Sequence, residues 1–305
     1  MTQGDPTGPA APTGAGAHRL PRCYRHPEQE TGVSCSRCGR PICPRCMVDA
    51  SVGFHCPECV NGTSSHPPAQ QPQQSQVPTT RFGGKLTGDG SLVTKILIGI
   101  NLALFVVSSF LYKPLTYQWD LASWVDQYGH LHGVAGGEYY RLFTAIFMHQ
   151  PTNPLHVGSN MLALWWIGPN LERVLGRLRF LALYVVSGLA GSALVYLVSG
   201  SGTASLGASG AIFGLFGATA VLFRAARQPI GPVVALIVFN LVITFSVPGI
   251  DWRAHIGGLV AGTVTGIGLM HAPRAHRDLV QATTVALMLA AIVAVVLVET
   301  ARLSG

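Results

Sequence analysis

The chain has 305 residues, a mean hydropathy of +0.38 and only 11% charged residues, less than half the roughly 25% of an ordinary soluble domain. That balance excludes a wholly soluble globular protein. The net charge of +7 is concentrated in short loops between apolar blocks, so it carries topology, and nucleic-acid binding is not expected.

From the start of the chain, residues 1–20 are a Gly/Ala/Pro-rich stretch that reads as a disordered tail. No secretory signal peptide is visible, and the first apolar block, near residue 92, reads as an uncleaved signal-anchor. Residues 21–60 hold all seven cysteines, in the pairs Cys23-x2-His26, Cys35-x2-Cys38, Cys43-x2-Cys46 and Cys56-x2-Cys59. A two-residue spacing lets one tight turn present both ligands, and eight such ligands suit two tetrahedral Zn²⁺ sites. An odd cysteine count and a cytoplasmic placement argue against disulfides. The run resembles a B-box-type zinc finger. That resemblance implies interleaved pairing, with Cys23, His26, Cys43 and Cys46 on one ion and Cys35, Cys38, Cys56 and Cys59 on the other. His55 reads as a bystander. Fewer than forty residues bury too little core to fold alone, so both ions are expected to be structural. Contact with a cytoplasmic protein partner is the natural use of such a module. Residues 61–90, rich in Pro, Gln, Ser, Thr and Gly, read as a flexible linker.

Residues 91–303 are then expected to form an all-α polytopic membrane domain. Seven apolar blocks of about bilayer-spanning length occur, at about 92–111, 154–171, 180–198, 206–223, 231–247, 252–270 and 280–298. The fifth is short and the second contains polar residues, so a five- or six-span count is the alternative. Arg173, Arg177 and Arg179, then Arg224 and Arg227, then Arg274 and Arg277 occupy alternate loops. The positive-inside bias places those loops and the N-terminus in the cytoplasm of a multi-pass cell-membrane protein. One long external connection, about 112–153, holds Trp119, Trp124, Tyr128, Tyr139 and Tyr140. These rings either lie in the headgroup region or form an ordinary aromatic belt.

With this topology, spans two, four and six all begin on the external side. His156 and Asn160, Ser209 and His255 then share one shallow depth near that surface, and polar groups inside a bilayer default to function. Ser209 needs a base to become a nucleophile, and His255 has the ionisation range to serve. His156 and Asn160 share a helix face at i, i+4 and can aim two donors at one oxyanion. No carboxylate lies within a span close to His255, so a dyad fits better than a triad. Gly210, Gly214 and Gly217, with Gly258, Gly262 and Gly266, provide small faces that let two helix backbones approach closely.

Gly207-Ala208-Ser209-Gly210, Ala254-His255-Ile256-Gly257-Gly258-x3-Gly262 and His156-x3-Asn160 together resemble the rhomboid intramembrane serine proteases over residues 90–300. The resemblance implies a six-helix core plus one C-terminal helix, Ser209 as nucleophile, His255 as base and an oxyanion pair at His156 and Asn160. It implies transmembrane protein substrates within the lipid bilayer and no cofactor for catalysis. Glu172-Arg173 resembles a structural element of the family at the cytoplasmic end. Tyr140-Arg141 stands where the family usually has Trp-Arg. The spacing between His149 and His156 is longer than usual, so His149 receives no role. Phe213 stands where some members have Tyr, with a ring that can still pack on His255. The alternative reading is a catalytically inactive rhomboid-like factor that binds or chaperones membrane proteins. A transporter would spread its polar groups along a path through the bilayer instead of clustering them at one depth.

Overall fold

The computed structural model describes residues 20–63, 79–85 and 88–305. The chain divides into two compact units, residues 1–76 and 77–305. The tail over 1–19, together with 64–78 and 86–87 of the linker, lies outside the described residues.

The first unit is built around its cysteines. Its regular elements are a 3-10 turn (Pro44–Cys46), a two-residue antiparallel ribbon, β1 (Val48–Asp49) against β2 (Phe54–His55), and one helical turn, α1 (Pro57–Val60). Its core is Ile42 and the cysteine side chains, with Cys43 and Cys56 fully buried. So small an apolar centre is less than a domain of this size ordinarily needs to fold by itself.

In the second unit each apolar block becomes one long helix. These are α2 (Leu92–Val106), continued by a π-helical stretch to Leu111, and α5 (Pro154–Leu175), α6 (Arg177–Ser199), α7 (Ser209–Ala225), α8 (Gly231–Ser246), α9 (Trp252–Met270) and α10 (Arg277–Ser304). Two short helices, α3 (Pro114–Trp119) and α4 (Arg141–Thr144), lie in the long connection. Among the described residues three helical stretches, Leu92–Leu111, Arg177–Ser199 and Arg274–Ser304, are long and apolar enough to cross a bilayer by themselves. With 17 residues, α7 spans about 26 Å at 1.5 Å per residue, slightly less than a ~30 Å hydrocarbon core.

Solubility is inverted relative to a water-soluble fold. Phe110, Leu155, Leu162, Leu178 and Phe239 are exposed, while Thr94, Asn101, Glu172, Ser187 and Thr265 are buried. That pattern is stable only where lipid is the solvent, and the chain is a multi-pass membrane protein.

A small antiparallel sheet, unannounced by the apolar pattern, caps one end of the bundle in the order β4-β3-β5. Its strands are β3 (Leu121–Val125), β4 (Leu131–Gly133) and β5 (Thr203–Ser205), with Leu121 paired to Ser205. The sheet ties the long connection to the segment that enters α7. Arg141 organises this connection from inside. Its guanidinium donates to the Tyr117 carbonyl oxygen at 2.8 Å, to the Asp120 carboxylate at 3.0 Å and to Glu138 at 2.6 Å.

The opposite end carries the arginine-rich loops. Here Glu172, 1% exposed, accepts from the Val93 and Thr94 backbone N–H groups at 2.9 and 2.8 Å and from the Thr94 hydroxyl at 2.8 Å. A carboxylate at a helix N-terminus satisfies orphan donors and meets a favourable dipole. Gln281 of α10 donates to the Phe82 and Leu269 carbonyl oxygens at 3.0 and 2.6 Å and accepts from Arg179 at 2.6 Å. Residues 79–85, which composition assigns to the linker, thus form a turn with Phe82 buried against the helices.

Glu172→Ala is expected to lower stability by about 1–3 kcal/mol, the cost of leaving buried donors unpaired. Unfolding in detergent measures it, and a midpoint unchanged from wild type would show that Glu172 does not hold α2 to α5.

Candidate active site and metal centres

Glycines bring α9 against both α6 and α7 at backbone distance. A side chain at Gly258 would collide with the Gly210 carbonyl oxygen, and one at Gly262 with the Gly214 backbone. At Gly257 an added Cβ would stand 2.7 Å from the Ala190 oxygen, and at Gly210 it would stand 3.1 Å from the Ala254 oxygen. The contacts at Gly257, Gly258 and Gly262 leave no room for a Cβ, and together with the tight one at Gly210 they set the register between the helices. The residues beside Ser209 and His255, namely Gly210 and Ala254, are therefore in backbone contact.

Ser209 is the first residue of α7. His255 lies in the first turn of α9 and is 6% exposed. Phe213, one turn along α7 from Ser209, stacks on the His255 ring with centroids 4.1 Å apart and planes 14° from parallel. On the other side the Thr244 hydroxyl of α8 lies 2.7 Å from His255 Nδ1. Among the described residues Ser209 Oγ makes no hydrogen bond; contacts of this kind are often loose in unliganded sites and tighten in the complex. Ser209 is half-buried, so the hydroxyl is reachable while the imidazole is sheltered.

His156 completes the cluster from the start of α5. Gly207 has φ +138°, and a Cβ there would lie 3.0 Å from His156 Nε2 and 3.6 Å from Ser209 Oγ. Gly207 thus leaves open a small space bordered by the His156 ring and the Ser209 hydroxyl, in a conformation suited to glycine. Asn160, 7% exposed, donates one amide hydrogen to the His156 carbonyl oxygen at 2.8 Å, leaving its second donor uncommitted.

Three helices begin at this end. Asn153 caps α5 by accepting from His156 N–H, and Asp251 caps α9 by accepting from Arg253 N–H at 3.1 Å. No side chain caps α7. Its first N–H groups, Ser209 among them, have no side-chain acceptor, and a helix N-terminus favours negative charge.

His149, fully buried, has its ring centroid 5.0 Å from that of His156, and neither of its nitrogens has a partner among the described residues. Sequence reasoning gave it no role, because the chain between the two histidines is long. It also missed Thr244, since hydroxyl residues inside apolar helices are common and usually bond only to their own backbone.

In the first unit, two sets of four side chains converge. His26 Nδ1 lies 3.9, 3.4 and 3.3 Å from the sulfurs of Cys23, Cys43 and Cys46. Cys35, Cys38, Cys56 and Cys59 form the second set, with Cys38 and Cys56 sulfurs 3.7 Å apart. Ligands about 2.3 Å from a tetrahedral ion stand about 3.8 Å from each other, whereas disulfide-bonded sulfurs are about 2.05 Å apart. Both sets therefore fit a thiolate-binding ion of tetrahedral preference. Burial pushes the Cys35 thiol up, but the backbone N–H groups of Cys56, Cys38 and Arg37 outweigh it and bring it down to about 6. Arg40 supports the second set by donating to the Cys38 and Cys56 sulfurs at 3.4 and 3.5 Å, as outer partners of metal ligands do.

Among protein families, the one described as the rhomboid domain matches residues 136–272. The rhomboid protease GluP of Bacillus subtilis (strain 168) is 40% identical over 134 residues, which is 42% of this chain and 26% of the relative. RHOMBOID-like protein 5 of Arabidopsis thaliana is 38% identical over 149 residues, 46% of this chain and 47% of the relative. The rhomboid-type protein YdcA of Bacillus subtilis (strain 168) is 38% identical over 141 residues, 44% of this chain and 69% of the relative. The chain thus spans less than half the length of the first two relatives.

Gly258→Val is expected to separate α7 from α9, costing about 1–3 kcal/mol as overpacking does, and to remove any activity of the site. A fully stable and active variant would mean the backbone contact is dispensable. For the first unit, stripping metal with a strong chelator is expected to unfold residues 20–63 and expose them to proteolysis. Unchanged protection after chelation would show that no ion orders the module.

Proposed function

This chain belongs to the rhomboid family, and from that premise we propose that it is an active intramembrane serine endopeptidase. It would hydrolyse a peptide bond in or near a transmembrane segment of another membrane protein through an acyl-enzyme on Ser209. The observation that carries this reading is that the His156 ring and the Ser209 hydroxyl border the gap left by Gly207, while Phe213, one turn along the same helix as Ser209, stacks on His255.

In this mechanism His255 takes the Ser209 proton as the hydroxyl attacks the scissile carbonyl, and later returns a proton to the leaving amine. The developing oxyanion enters the space beside Gly207. There it receives the Ser209 N–H at the uncapped start of α7, the His156 ring and the remaining donor of Asn160. Each such donor is worth about 10²–10³ in rate. Water reaches the site from the nearby end of the bundle, because Ser209 is half-exposed at the first turn of α7. A helical substrate shields its peptide bonds, so the segment cut must unwind locally, which favours small, helix-destabilising residues.

In this reading the N-terminus is cytoplasmic, which the bias of the short arginine-rich loops supports, and the serine end lies on the external side of the cell membrane. The module over residues 21–60 carries two structural Zn²⁺ ions and no catalytic position, since each donor set is complete with four protein ligands. It recruits a cytoplasmic client or regulator.

Cleavage of a single-span reporter by the purified full chain in liposomes tests the central reading. Wild type is expected to cut, Ser209→Ala and His255→Ala to lose at least about 10³-fold, and chelators to leave the rate unchanged. Cleavage that survives Ser209→Ala would sink the proposal. A folded wild type that binds the reporter without cutting it would favour the inactive, client-binding alternative.

A further inference from the structure

Thr244 lies in the last turns of α8 and is 3% exposed. Its hydroxyl oxygen stands 2.7 Å from the Asn240 carbonyl oxygen and 2.7 Å from His255 Nδ1. A threonine hydroxyl has one proton and can accept with its lone pairs, whereas a carbonyl oxygen can only accept. Were the hydroxyl proton aimed at His255, two oxygens would face each other at hydrogen-bond distance with no proton between them. The proton therefore lies toward Asn240, and the hydroxyl accepts from His255 Nδ1–H. That leaves Nε2 without a proton, which is the form a general base must have.

We propose that Thr244 is a positioning residue that fixes His255 in its base-competent tautomer. This inference rests on the reading of His255 as the base. Phe213 fixes the plane of the ring by stacking, and Thr244 fixes its rotation within that plane. In serine hydrolases with a triad a carboxylate does this work. Here Asp251, four residues before His255, is bound to Arg253 through Nε at 2.7 Å and Nη2 at 3.2 Å, and the neutral hydroxyl takes its place.

The arrangement also links the base to the position of α8. That helix buries only Val233 and Thr244, while Val238, Phe239, Val242 and Phe245 are exposed. Moving the end of α8 away from α9 removes the acceptor from Nδ1 and releases the tautomer.

The test uses the full chain in micelles with ¹⁵N-labelled histidine, His255 being assigned by comparison with His255→Ala. Wild type and Thr244→Ser are expected to show His255 protonated on Nδ1, and Thr244→Val to shift the proton toward Nε2. On a single-span reporter, Thr244→Val is expected to lower kcat about 10–10³-fold with little change in KM, bounded by the roughly 10⁴-fold of a wrong-tautomer histidine. Thr244→Ser should restore most of it. An unchanged His255 tautomer in Thr244→Val would overturn the proposal, as would a Thr244→Ser spectrum that matches Thr244→Val. The spectra are read without substrate, so an inactive wild type would remove the protease reading while the tautomer result still decided the role of Thr244.

Discussion

The backbone contact between α7 and α9 is the constraint on which the rest depends. Gly258 faces the Gly210 carbonyl and Gly262 faces the Gly214 backbone, so at these two points backbone meets backbone. In lipid, where apolar side chains gain nothing by leaving solvent, close packing between backbones is a main source of helix association. The same contact fixes depth. With the two helices locked in register, Ser209 at the start of one and His255 in the first turn of the other cannot slide apart.

Several buried polar groups of the apolar unit are tied into bonds that join its elements, and these bonds define its two ends. At one end Glu172 holds the start of α2, and Gln281 holds α6, α9 and the turn around Phe82 together. At the other, Arg141 ties the long connection to Asp120 and Glu138. Asn153 and Asp251 cap two of the three helices that begin there. The third, α7, starts without a side-chain cap, next to the open space beside Gly207, and the two nitrogens of nearby His149 have no partner among the described residues.

Much of this was legible in the sequence because the bilayer leaves few choices. Apolar block length gives the helices, and the arginines divide the loops into two sets. The spacing of Ser209, His255, His156 and Asn160 relative to block starts puts them at one end. Glycines at four-residue intervals in two blocks announce the close contact. The cysteine pairs mark the metal sets, though their interleaving came only through likeness to a known finger. What the sequence hid depends on distant pairing. The sheet joins Leu121 to Ser205 across more than eighty residues, and neither segment has a strand-like run long enough to stand out. Residues 79–85 look like linker because a single buried phenylalanine anchors them. Thr244 was invisible for another reason: its bond to Asn240 is the ordinary habit of a threonine in a helix, and only the position of α8 turns the same oxygen toward His255.

The central claim is that His255 makes Ser209 a nucleophile. Covalent labelling by a serine-directed fluorophosphonate, with the modified residue located by mass spectrometry of the full chain in liposomes, tests it most directly. The account predicts modification of Ser209 alone in the wild type and its loss in His255→Ala. Modification of another serine, or of Ser209 at an unchanged rate in His255→Ala, would contradict it.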